Sequence, residues 1–132
     1  MKESPIFSRT YDMLLWLIPQ ASKFPRAHRF GLGERVARQG LDLQEMLVAA
    51  GLRRGPERMA LLFKADTQLA QLRLSLRLCK DLQLLSISQY EHVAAMLVEI
   101  GRLLGGWHKS NSPTGQVDGG AGGARRLVEQ QS

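Results

Sequence analysis

Between residues 5 and 107 the apolar positions step by three and four, the period of a helix that buries one face. Tyr11, Leu14, Leu15 and Ile18 form the first run. It opens at Ser4, a residue suited to cap a helix, with Pro5 at the first helical position, where its missing amide is harmless. Pro19 should bend this helix without ending it. The break comes at Lys23, Phe24 and Pro25, because the residue before a proline is pushed out of the helical region. A second run, Leu32, Val36, Leu43, Leu47 and Ala50, carries the chain from about Pro25 to Ala50. Gly40 permits close approach within it, and Gly51 is placed as a left-handed terminator. After the connection "RRGP" a third segment covers roughly residues 57–82. The fourth starts at Ser88, with Glu91 three places on as in a capping box, and Ser86 is a further cap candidate. Val93, Met96, Leu97, Ile100, Leu103, Leu104 and Trp107 then keep one apolar face, with Gly101 and Gly105 one turn apart where a neighbouring helix can pack.

One stretch breaks the pattern. "LRLSLRLCKD", residues 72–81, puts Leu72, Leu74, Leu76 and Leu78 at every second place, as a strand would. A strand here would need some twenty residues without a turn, far above the usual strand length of about five or six. Leu62, Ala65, Leu69, Leu72, Leu76 and Cys79 instead step by three and four among strong helix formers. At about 100° per residue, Leu69, Leu72, Leu76 and Cys79 share one face and Leu74, Leu78 and Leu82 a second, nearly opposite. Arg73, Arg77 and Lys80 form a basic seam between them, with Asp66 on the same line. A helix of an isolated bundle needs one apolar stripe. The second face, centred on Leu74 and Leu78, predicts burial against another copy of the chain; a central position of this helix within a single bundle would also account for it. Arg73 and Arg77 could pair with Asp66 or meet an external anion.

The expectation is an all-α protein, an antiparallel four-helix bundle over residues 1–109 assembled as a homo-oligomer. Residues 110–132 hold five glycines between 115 and 123 and few apolar side chains, and read as a flexible Gly/Ser-rich tail. At 132 residues and 44% apolar, the chain can form one ordinary core. The apolar run at residues 13–18 is too short to span a bilayer and no secretory cleavage site follows it, so no membrane association and a cytoplasmic location are expected. A lone cysteine, Cys79, excludes an internal disulfide and fits a reducing compartment.

Net charge is +6, and residues 109–132 hold three cations against two acids, which leaves +5 on residues 1–108. Such an excess favours polyanionic partners. Arg26, His28, Arg29, Arg35 and Arg38 crowd the start of the second helix, where the helix dipole disfavours cations. A bound polyanion would compensate them, and Glu34 and Asp42 can do part of that work. Catalytic chemistry finds little footing. His28, His92 and His108 show no ligand spacing, Cys79 continues an apolar stripe, and there is no phosphate-binding glycine loop after a strand. No enzyme activity, metal or cofactor is expected.

"YDMLLWLIPQASKFPRAHRFGLGERV" and "ADTQLAQLRLSLRLCKDLQLLSISQYEHVAAMLVEIGRLLGGWHK", in that order over residues 8–109 and most specifically in "KFPRAHRFGLGER" and "EIGRLLGGW", resemble the accessory variability determinant (Avd) family of diversity-generating retroelements. Related bundle proteins associate with ribosomal-RNA intervening sequences. The resemblance implies a pentameric, ring-like bundle without a catalytic centre. It also implies binding to the element's reverse transcriptase and to RNA and DNA, in support of mutagenic reverse transcription. The positions inside the matching motifs that would contact nucleic acid are Arg26, His28, Arg29, Arg35, Arg73, Arg77 and Arg102. The alternatives are a bundle of the ribosomal-RNA group and an adaptor that binds protein alone.

Overall fold

The computed structural model describes residues 4–111, and among these every regular element is helical. Helix α1 is Pro5–Ser22, α2 is the single turn Arg26–His28, α3 is Glu34–Gly51, α4 is Gly55–Asp81 and α5 is Ile87–Asn111. A π-helical turn, Arg29–Gly33, joins α2 to α3, so these two run as one rod. The result is four rods. Each packs on two neighbours in the cyclic order α1, α3, α4, α5, which leaves α1 and α4 at opposite corners. Short connections force neighbours to run antiparallel. The contacts agree: Gln89 at the start of α5 meets Gln20 near the end of α1, and Asn111 at the end of α5 donates to the carbonyl of Gly55 at the start of α4.

Core positions follow the three-and-four stepping. Met13, Leu17, Val36, Leu43, Leu47, Leu62, Leu72, Leu76, Ile100 and Leu104 are fully buried. Burying one such side chain is worth about 1.5–3 kcal/mol, and repetition down four rods supplies the driving force. Phe24 and Leu85, each in a connection, are buried too and close the end of the bundle where α2 starts. The expected tail from residue 112 lies outside the described residues.

Several local expectations change. Ser4 holds the N-cap position but its hydroxyl makes no capping bond. As expected, Pro19 does not end α1, which continues to Ser22. Gly51 stays in helical conformation, and the left-handed glycine is Gly55 (φ 55°), which opens α4. The capping box sits two residues earlier than Ser88 and Glu91. The Ser86 amide donates to Gln89 Oε1 at 2.9 Å and the Gln89 amide to Ser86 Oγ at 3.0 Å. Tyr11, Leu15 and Ile18 do not join the core. They stand exposed as a stripe on α1, which buries Ile6, Met13, Leu14 and Leu17 instead.

Gly33 shows why the second rod starts with a wide turn. A methyl group on Gly33 would lie 2.9 Å from the Ala21 carbonyl oxygen, so α1 and the π-helical turn touch backbone to backbone. The broader π spacing brings Gly33 against α1 while Val36, three residues on, still faces the core.

Candidate nucleic-acid interface and association faces

Among the described residues, cations gather at each end of the bundle and along α4. At the end closed by Phe24, α2 and the π-helical turn carry Arg26, His28 and Arg29, and Arg35 follows in the first turn of α3. Arg26 and Arg35 are exposed and form no ion pair among the described residues. His28 is half-buried. Arg29 is tied down, with Nε donating to the Phe24 carbonyl at 3.3 Å and its guanidinium 5.9 Å from the centre of the exposed Phe30 ring. Arg35 and Arg38 line a shallow polar cleft of about 750 Å³, shared with Glu34, Asp42 and Gln68.

The basic seam of α4 is divided by its partners. Arg77 is exposed and makes no ion pair among the described residues. Arg73 reaches across to α5, where Nη2 donates to the Leu97 carbonyl at 3.2 Å. It can do so because residue 101 is glycine, since a methyl group there would lie 2.7 Å from Arg73 Nη2. Gly101 thus makes room for a guanidinium as well as for a helix. Lys80 lies over the Tyr90 ring at 4.9 Å and pairs with Asp81 at 3.5 Å. Asp66 pairs with neither arginine. Its carboxylate meets the buried His108, Nε2 to Oδ2, at 2.7 Å.

Arg102 stands apart from the other motif cations, near the opposite end of the bundle. Its guanidinium grips Glu99 through both carboxylate oxygens, at 2.6 and 3.1 Å. That hydrogen bonding holds the Glu99 carboxyl below the usual carboxylate range, with help from the charge of Arg9. Arg53, Arg54 and Arg58 surround the same end. The sequence shows them as "RRGPER", whose turn residues mark a connection and hide the cluster of charge.

An apolar stripe runs uncovered along each of two helices. On α4, Leu74 and Leu78 are 64% and 48% exposed, as the two-faced wheel requires. On α1, at the opposite corner, Tyr11 and Leu15 are 59% and 63% exposed, with Ile18 completing the stripe.

No group of three or more His, Cys, Asp and Glu side chains that could hold a metal ion occurs among the described residues. His92 packs on Trp16 with ring centres 5.3 Å apart, and His108 sits against Phe63 at 4.9 Å. Cys79 is fully buried, and burial pushes its thiol up to about 11, so at neutral pH it is a protonated, inert thiol. Iodoacetamide at neutral pH should leave Cys79 unmodified in the folded protein and alkylate it fully in denaturant. Rapid labelling of the folded chain would show that this part of the core is open.

No helix among the described residues is long and apolar enough to cross a membrane. A search of curated proteins finds no match. The model of the bAvd-like family matches residues 6–111, from the first buried residue of α1 to the last residue of α5. The match spans all four rods, so the chain belongs to the bAvd-like family, the accessory variability determinant proteins of diversity-generating retroelements.

Proposed function

We propose that this chain is a non-enzymatic accessory protein that binds its retroelement's reverse transcriptase together with RNA and DNA, and so supports mutagenic reverse transcription in the cytoplasm. The observation that carries the reading is the family match across the whole bundle. The surface chemistry supports it. Arg26, Arg35 and Arg77 hold out charge that no carboxylate among the described residues neutralises, and phosphate contacts are the natural use of such guanidinium groups. Contacts of this kind position a polyanion without reading its sequence.

The assembled form we propose is a ring-like homo-oligomer, a pentamer by family resemblance. Its physical support is the placement of the two uncovered stripes. Leu74 and Leu78 on α4 differ from Tyr11, Leu15 and Ile18 on α1, and the two helices occupy opposite corners. A contact between unlike surfaces is head-to-tail, and head-to-tail contacts close into rings when the rotation permits.

The test is a binding titration with duplex DNA, RNA and their hybrid over a range of salt. Affinity should fall steeply with salt. Replacing Arg26, Arg35 and Arg77 by Gln should flatten the log–log slope by roughly 0.7–0.9 for each phosphate that is no longer neutralised. Helix content should stay unchanged, since none of the three holds the fold together. Arg73 is a poorer probe, because Arg73→Gln also breaks its bond to Leu97, at a cost of about 1 kcal/mol. Binding that is absent at low salt, or indifferent to salt, would remove nucleic acid from the function. A reverse transcriptase complex that survives nuclease treatment would separate direct protein contact from tethering through RNA.

A further inference from the structure

At the end of the bundle where α1 begins and α5 finishes, Phe7, Leu52, Leu103 and Trp107 line an open groove of about 710 Å³. Phe7 and Trp107 meet edge to face, 5.8 Å between ring centres, and form its aromatic wall. Leu52 stands 73% exposed at the groove, the largest exposure of any bulky apolar side chain among the described residues. Leu52 together with the half-buried Phe7, Leu103 and Trp107 makes a continuous apolar surface of the kind that marks an interaction site.

The charge around this surface has one sign. Arg58 and Arg102 line the groove and no carboxylate does. Arg58 is fixed in place, with Nε donating to the Ala50 carbonyl at 2.8 Å and its guanidinium 5.6 Å from the Trp107 ring centre. Exposed Arg53 and Arg54 add two cations in the connection directly after Leu52. The acids nearby are Glu99, held by Arg102, and Glu57 in the first turn of α4.

We infer that this groove docks an acidic amphipathic segment of a partner protein, with its bulky apolar side chains on Phe7, Leu52 and Trp107 and its carboxylates on the arginines. An apolar strip bounded by cations is the complement of such a segment, the helix-in-groove mode of recognition. Single-stranded nucleic acid fits less well. Arg58 already covers a face of Trp107 and Phe7 meets it on edge, which leaves little ring face for a base to stack on. The α4 stripe of a second copy fits less well too, because Arg73 and Arg77 beside Leu74 and Leu78 would meet the arginines around the groove. The inference rests on the accessory reading only for which protein supplies the segment.

The experiment uses the full chain with Trp16→Phe, which leaves Trp107 as the only tryptophan. The probes are a peptide of roughly four helical turns with Leu and Phe on one face and Glu on the other, the same peptide with Lys for Glu, and oligothymidylate. The acidic peptide should shift Trp107 emission saturably and bind at least about tenfold more tightly than the lysine version. Leu52→Asp should weaken that binding by about tenfold or more and leave duplex affinity and helix content unchanged. Absence of acidic-peptide binding, equal binding of both peptides, saturable binding of oligothymidylate alone, or indifference to Leu52→Asp would each overturn the inference. The Arg26, Arg35 and Arg77 variants of the duplex titration alter residues outside this groove, so either result can fail while the other stands.

Discussion

Replacing Leu74 and Leu78 together with Glu is expected to give a soluble, folded monomer, seen as a fall in mass by sedimentation or light scattering with helix content unchanged. Both side chains lie on the outer face of α4 and contribute nothing to the core, so the fold should not notice the change. An interface would notice it strongly. Each leucine removed from a buried contact forfeits up to about 1.5–3 kcal/mol. Each carboxylate put in its place carries a desolvation penalty of several kcal/mol when the surfaces close. Together these weaken association by well over about a hundredfold. A head-to-tail arrangement adds a second condition. Charging Leu15 on α1 should have the same effect as charging the α4 pair, since each subunit offers one face and receives the other. A mass unchanged by the α4 variant would mean that this stripe is not an association face, and the ring would lose its physical support.

A substitution of glycine by alanine should change sign with its position. Gly33→Ala is expected to lower stability by about 1–3 kcal/mol, because the added methyl would sit 2.9 Å from a backbone oxygen of α1 and 3.3 Å from the His28 carbonyl oxygen just before its own turn. Backbone cannot step aside as a side chain can, so the end of α1 must move away from the second rod. Gly105→Ala meets no heavy atom within 4 Å and should raise stability by roughly 0.8–1 kcal/mol, the helix-propensity difference between the two residues. In a domain of this size each kcal/mol moves the midpoint by about 4–8 °C, so thermal unfolding of the two variants separates them clearly. A neutral Gly33→Ala would show that the π-helical turn does not depend on close contact with α1.

The four rods were legible because apolar stepping persisted for four or more turns in each and the breaks carried proline or turn residues. The alternating leucines of α4 resolved correctly, with Leu72 and Leu76 buried and Leu74 and Leu78 outside. The stepping on α1 was misleading, because Tyr11, Leu15 and Ile18 obey the same period on an exposed face as Leu14 and Leu17 do on the buried one. The turn before α5 was also hidden. Gln83 takes the left-handed conformation (φ 62°) that terminates α4, while the Leu84 amide bonds the Cys79 carbonyl at 2.8 Å. A non-glycine residue at that position gives no signal in the chain. The capping box was ambiguous for a related reason, since Ser86 with Gln89 and Ser88 with Glu91 have identical spacing.

The candidate site was legible as composition and less so as arrangement. Excess Arg and the motif "KFPRAHRFGLGER" marked the cations of α2 and the π-helical turn, but a sequence cannot say which guanidinium groups are already engaged. Arg73 bonds α5, Arg29 bonds the Phe24 carbonyl and Arg102 holds Glu99, whereas Arg26, Arg35 and Arg77 stay open. Those partners lie up to twenty-four residues away in the chain, or depend on a missing side chain such as that of Gly101.

The chain alone determined that this protein is helical, that its third long helix has two apolar faces, and which family its motifs resemble, because these follow from spacing and residue type along one stretch of polypeptide. Only the folded bundle decided which apolar stripe is core, which arginines are free to meet an anion, and that Phe7, Leu52 and Trp107 form one groove. Those are properties of distance between separate helices. They are set when the rods pack against one another, and no local pattern encodes them.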